Sequence, residues 1–219
     1  MKFPKKIINF LFRDKKESGE HVPEGNLEQI ILSSQTPSFE GKRVAIYIDG
    51  SNLYYSVKNC TGSKLSYNGL KEFCEEIAGD NVLSKIGYYF SPMTENENPI
   101  SYFSDQNFIK GLRSLNKCDV VLGRLEKING SYVEKETDVN LAVDIISDAY
   151  ENIFDIAYLV SNDGDFRRVF DNIHKKINGK KVIYVSVGKD YPICSYLYNS
   201  AADTIIRNRC DMCHFVNIP

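Results

Sequence analysis

Three aspartates stand where a folded chain can perform acid and metal chemistry. Asp49 follows the apolar run Val44-Ala45-Ile46-Tyr47-Ile48, and Asp163 and Asp165 follow a second such run over residues 154–161. Apolar runs of this kind suit strands buried on both faces. In open parallel sheets, ligands bind beyond the carboxyl ends of the strands, where strand order reverses. Asp49 and Asp163 therefore belong at the usual site. Taken singly, each also has an ordinary use as a turn former or helix cap. Asp138 supplies the third carboxylate, at the start of a helical pattern. At ~100° per residue, Leu141, Ala142, Ile145 and Ala149 lie within about 60° of its direction, so it is aimed at the sheet rather than at open solvent. Asp144 falls ~120° off that direction, at the edge of the stripe, where a boundary hydrogen bond or ion pair competes with a metal role.

If Asp49, Asp138 and Asp163 converge, their repulsion needs relief. Two like charges 4 Å apart repel by ~4 kcal/mol at an effective dielectric of 20. Three such pairs approach ~12 kcal/mol, comparable with the ~5–15 kcal/mol stability of a whole domain. Protonation relieves this, and so does a divalent cation. An all-oxygen site with retained waters suits Mg²⁺ or Mn²⁺, and such ions assist phosphodiester hydrolysis. Rival acidic sites fail on spacing. A haloacid-dehalogenase phosphatase needs an acid at Ser51, a metal-dependent adhesion site needs a serine at Leu53, and a topoisomerase-primase site needs a glutamate on its early strand.

The elements that position these acids follow from periodicity and turn signals. The pattern predicts a strand over 44–48, helices over 52–58 and 68–78, and a strand over 82–90. A helix over 100–115 and a strand over 118–125 come next. Asn129-Gly130 is a strong hairpin signal, so residues 132–134 fold back on that strand. A helix over 138–150, a strand over 154–161, a helix reaching Ile177, a strand over 181–187 and a helix over 193–207 complete the pattern. Alternating strands and helices imply a three-layer α/β/α sandwich around a mainly parallel sheet. Residues 1–40 mix charged residues with Ser, Gly and Pro, read as a tail with a short helix over 26–33, and residues 41–219 form the domain.

Composition excludes several classes. The chain has 219 residues, 27 Lys and Arg against 29 Asp and Glu, and 42% hydrophobic positions. This is globular composition, not collagen-like or disordered, and its near-zero charge argues against a generally basic coat protein. No run reaches the ~18–20 apolar residues of a membrane span. The apolar segment of residues 7–12 is too short for a signal peptide, which gives a cytoplasmic expectation. The basic first sixteen residues read as a frayed tail, or as a contact for an anionic surface, a protein partner or a second copy of the chain. Six scattered cysteines without a secretory signal make no disulfide framework. Cys210, Cys213 and His214 spell a haem-attachment string but lack the rest of that chemistry. They also supply only half of a zinc site.

Four ordered motifs carry a family resemblance. They are Asp49-Gly50-Ser51-Asn52-Leu53, then Lys135-Glu136-Thr137-Asp138-Val139 running into Leu141-Ala142-Val143-Asp144, then Leu159-Val160-Ser161-Asn162-Asp163-Gly164-Asp165-Phe166, and later Ser195, Ala201, Ala202 and Asp203. Together they resemble the NYN domain, which includes LabA-like proteins and belongs to the PIN-like nucleases. The resemblance spans about residues 42–216. It implies a PIN-like sandwich, a Mg²⁺- or Mn²⁺-dependent phosphodiesterase, and RNA as substrate. It further implies that Asp49, Asp138 and Asp163 bind metal, that Asn52 orients water or substrate, and that Asp165 is an auxiliary acid. The family usually has Gly at the position of Asn162 and a small apolar residue at that of Thr137.

Basic residues give separate support for a polyanionic substrate. Lys135 precedes Asp138 by three positions, and Arg167 and Arg168 open the helix after the acidic loop, where phosphate contacts are useful. Tyr54 and Tyr55 are suited to stacking on unpaired bases or to core packing. The leading expectation is a metal-dependent ribonuclease acting on single-stranded RNA. The alternatives are a catalytically weak RNA-binding or scaffold module, and a phosphohydrolase acting on DNA or nucleotides.

Overall fold

A computed structural model describes residues 41–188, 194–207 and 209–216. The tail, its expected helix over 26–33 and the side chains of Ser195, Asp203 and Cys210 lie outside the described residues. Among those described, no helix is long and apolar enough to cross a membrane.

The chain alternates as its pattern demands. Strand β1 (Arg43–Asp49) leads into α1 (Gly50–Thr61) and α2 (Tyr67–Ala78), followed by β2 (Val82–Phe90), α3 (Pro99–Arg113) and β3 (Cys118–Leu122). An antiparallel hairpin, β4 (Arg124–Ile128) and β5 (Ser131–Lys135), precedes α4 (Thr137–Tyr150) and β6 (Ile156–Val160). A single 3₁₀ turn (Gly164–Phe166) then enters α5 (Arg167–Lys176), with β7 (Lys181–Val187), α6 (Ser195–Ser200), β8 (Asp203–Arg207) and α7 (Arg209–Met212) closing the fold. Six parallel strands form the central sheet in the order β3-β2-β1-β6-β7-β8. The mixed α/β class and parallel sheet match the sequence expectation.

Strand periodicity sorts the core into two layers. Val44, Ile46 and Ile48 of β1 pack with Ile156, Tyr158 and Val160 of β6 and with α1 and α2. Ala45 and Tyr47 pack on the other face with Leu141, Ile145, Phe166 and Phe170. Every residue of β6 is buried, which is why its sequence shows no polar alternation. Arg43 ties the opening ends of β1 and β6 together, donating to both carboxylate oxygens of Asp155 at 2.7–3.2 Å. The arginine holds that carboxyl below the ordinary range.

Two expectations need correction. The strand expected over 118–125 breaks at Gly123. A Cβ there would lie 2.4 Å from the Lys135 carbonyl oxygen and 2.6 Å from Ser91 Oγ, so the chain passes too close to its neighbours to carry a side chain, and the hairpin leaves the sheet at that point. The helix expected over 193–207 stops at Ser200. Thr204, Ile205 and Ile206 are β-branched residues that fit a pleated surface better than a helix, and with Asp203 and Arg207 they pair in parallel with β7.

Candidate active site

Strand order reverses between β1 and β6, whose carboxyl ends carry Asp49 and the Ser161-to-Asp165 loop. Asp49 caps α1: its Oδ1 accepts from the Asn52 amide at 3.0 Å, while Oδ2 accepts from Ser161 Oγ at 2.9 Å. The same serine oxygen receives the Asp163 amide at 3.1 Å, linking the two strand ends. Asp163 in turn caps the 3₁₀ turn, accepting from the Asp165 amide at 2.9 Å. Capping is thus a real task of both acids, and it locks their side chains in place. Gly50 lets α1 start so close to the sheet, since a Cβ there would meet the Tyr88 ring at 2.7 Å and the Tyr89 carbonyl oxygen at 2.8 Å.

Asp138 enters from α4. Glu136, the residue before the helix, sits in left-handed backbone at φ 77°, which turns the chain out of β5 and into the helix. Thr137 is buried behind it, and Asp138 stands at the first turn exposed to solvent, a departure from the expectation that the helical stripe would aim it away from solvent, because a residue at the very start of the helix has no preceding turn to cover it.

Electrostatics tie these groups together. Burial pushes Asp49 up to about 6, against hydrogen bonds from Asn52 and Ser161 that lower it, with Asp138 and Glu134 adding to the rise. Asp138 is raised by desolvation first, then by the charges of Asp163, Glu134 and Asp165. The neighbouring charges that raise both groups are all carboxylates. None of Asp49, Glu134, Asp138 and Asp163 makes an ion pair among the described residues.

The arrangement is a set of electrostatically coupled acids at the strand-order reversal of an α/β sheet, and similarity extends across the same elements. The NYN domain matches residues 43–214. The chain belongs to the NYN domain family. That family lies within the PIN-like nuclease superfamily. Among solved structures, a protein of unknown function, VPA0982 from Vibrio parahaemolyticus RIMD 2210633, shares the fold with a TM-score of 0.59 at 22% identity, over 78% of this chain and 95% of that one. No curated protein matches.

Within the NYN domain the remaining expected residues take varied positions. Asn52 spends its side-chain oxygen on the Asn162 amide at 3.1 Å, so it braces the β6 loop. Asn162 itself bolts β6 to β7: its Oδ1 accepts from Tyr184 and Ser186, and its Nδ2 donates to the Val187 carbonyl. Asp165 is exposed at the lip. Asp144 accepts from the Tyr89 hydroxyl at 2.8 Å, and its charge is not among those that raise Asp49 or Asp138. Lys135 ends β5, half-buried. Arg167 lies 3.9 Å from Asp171 and over the Tyr196 ring, and Arg168 is exposed beside it on α5.

Sequence reasoning missed Glu134. Its Oε2 accepts from Ser51 Oγ at 2.5 Å, while its Oε1 is buried without a partner. Strand alternation held the signal: once Asn129-Gly130 sets the hairpin, Glu134 shares a face with Tyr132 and reaches the acids through β5.

The donor set is all oxygen, as Mg²⁺ and Mn²⁺ require, and the unpartnered Glu134 oxygen lacks only a positive neighbour. Among the described residues no three His, Cys, Asp or Glu side chains close to the spacing of a metal shell. Mg²⁺ sites commonly use one or two carboxylates and retained waters, so the residues present fit such an ion.

Proposed function

We propose that this NYN domain is a metal-dependent ribonuclease that hydrolyses phosphodiester bonds in single-stranded RNA. One observation carries the reading: burial, and after it the charges of neighbouring carboxylates from β5, α4 and the β6 loop, raise the proton affinity of Asp49 and Asp138, and neither has an ion-pair partner among the described residues. Repulsion of this kind is tolerated when a ligand relieves it. Asp49, Asp138 and Asp163, with Glu134 as a further donor, would hold Mg²⁺ or Mn²⁺. Bound there, the ion supplies charge neutralisation and water activation.

The chain's own residues do the rest. Asn52 and Ser161 fix the Asp49 carboxylate so that it does not rotate during turnover. Water attacks phosphorus, its proton passes to a carboxylate of the group, and the bond to the leaving ribose oxygen breaks as that oxygen takes a proton from solvent. Asp165, exposed at the lip, is the auxiliary acid. Lys135, Arg167 and Arg168 contribute positive charge toward the phosphates. That no three His, Cys, Asp or Glu side chains among the described residues group as a metal shell would favours a second reading, an RNA-binding module with little turnover.

Incubation of the full chain with single-stranded RNA and Mn²⁺ separates the two. Cleavage that is abolished by chelator and reduced about a hundredfold or more by Asp163→Asn supports the hydrolase. Tight binding without cleavage rejects it in favour of the binding module. Parallel DNA and nucleotide substrates reject RNA as the preferred class if they are cut faster.

A further inference from the structure

Beside the acids, α1, the end of β2, α3 and the hairpin enclose an open groove of about 480 Å³, within the range of small-ligand sites. Aromatic rings form one part of its lining, beside serines and the acids Asp105 and Glu134. Phe90 and Phe108 each pack edge-on against Tyr88 at 5.5 Å, and Tyr54, Tyr55 and Tyr132 contribute their rings from α1 and β5. Tyr55 is 61% exposed and Tyr132 39% exposed, more than core packing would leave. Cations sit over two of these rings: Lys58 and Lys64 lie 5.5 and 5.6 Å from the Tyr54 centroid, and Lys127 lies 5.4 Å from that of Tyr132. Glu134 and Ser51 line the groove and also belong to the acid site, so the two are continuous.

Exposed aromatic rings with lysines close by match a single-stranded nucleic acid, whose bases stack and whose phosphates need positive charge. A double helix keeps its bases in its own stack and offers the groove nothing but backbone. We infer that this groove is a base-stacking subsite, in which Tyr55 and Tyr132 hold an unpaired base next to the phosphate presented to the acids. The inference rests on the ribonuclease reading for its choice of substrate, but stacking requires neither metal nor turnover.

The test uses the full chain carrying Asp163→Asn, in EDTA, with a short fluorescein-labelled oligoadenylate as the probe. Tyr55→Ala and Tyr132→Ala should each weaken binding by about tenfold, while Tyr132→Phe, which keeps the ring, should change it by less than about twofold. An abasic version of the probe should bind the unaltered tyrosines about as weakly as the intact probe binds the alanine variants. Equal affinity for intact and abasic probes, or alanine variants that bind normally, overturns the subsite. RNA cleavage that is unchanged by Tyr55→Ala and by Tyr132→Ala in chains retaining Asp163 rejects the groove and leaves the hydrolase standing. Tyrosine-dependent binding without cleavage in Mn²⁺ rejects the hydrolase and leaves the groove standing.

Discussion

Asp49 is asked to do two things that conflict. As cap of α1 and partner of Ser161 it stabilises the fold, yet as a desolvated carboxylate among others it is costly to ionise, with its proton affinity raised from 3.8 to about 6. Between those values the folded chain holds a proton that the unfolded chain has released. The contribution of Asp49 to stability therefore falls as pH rises through that window. The full effect above it is about 3 kcal/mol. Asp49→Asn keeps one acceptor but cannot accept through its amide nitrogen from Ser161, so we expect a net gain of about 1–2 kcal/mol in EDTA at pH 8 and no gain at pH 4. Urea unfolding at the two pH values measures it, and a variant less stable than wild type at pH 8 would refute the account. The aspartates at strand ends were legible because an acid directly after a two-faced apolar strand has few places to go. The bracing task of Asn52 was not, since its oxygen meets a loop 110 positions away in the chain.

Most elements were readable from periodicity, and the two exceptions have different causes. Gly123 ends β3 because of how closely Lys135 and Ser91 approach it, a contact made by distant segments that no local pattern encodes. The helix misread over 193–207 failed for a local reason, because the β-branched run at 204–206 signalled a strand. The turn into α4 is where an element-scale prediction belongs. Glu136 holds φ 77° without being glycine and pairs with Arg124 at 2.6 Å on the surface. Left-handed backbone costs a non-glycine residue about 1–2 kcal/mol, whereas an exposed ion pair contributes about 0–1 kcal/mol. Glu136→Gly also enlarges the freedom of the unfolded chain, which offsets part of the relief. The expected result is stability unchanged or raised by up to about 1 kcal/mol, with Asp138 still delivered to the site. Denaturant unfolding checks the first part, and a loss above about 1 kcal/mol would mean that the ion pair, not the turn, anchors α4.

At the scale of the molecule, the sheet gathers acids that are far apart in sequence. β1 is central, β2 and β3 extend to one side and β6, β7 and β8 to the other, so the crevice at the reversal receives groups from both halves. The fold brings Asp49, Glu134, Asp138 and Asp163 near enough for Asp138 and Glu134 to act on Asp49, and for Asp163 and Glu134 to act on Asp138, through their charges. A dication that binds this folded arrangement, and finds no equivalent in the unfolded chain, must stabilise the whole domain by mass action, about 2.7 kcal/mol at a hundred times its dissociation constant. With about 2–4 °C per kcal/mol for a chain of this size, saturating Mn²⁺ should raise the melting temperature by about 5–10 °C. Asp138→Asn should abolish most of that rise, because Asp138 is the group whose charge couples to both Asp49 and Asp163. Asp155→Asn, at the opposite end of β6, should lower the starting melting temperature through loss of the Arg43 clamp while leaving the Mn²⁺ increment intact. An increment equally reduced in both variants would show that the ion responds to general stability and not to the acids at the crevice.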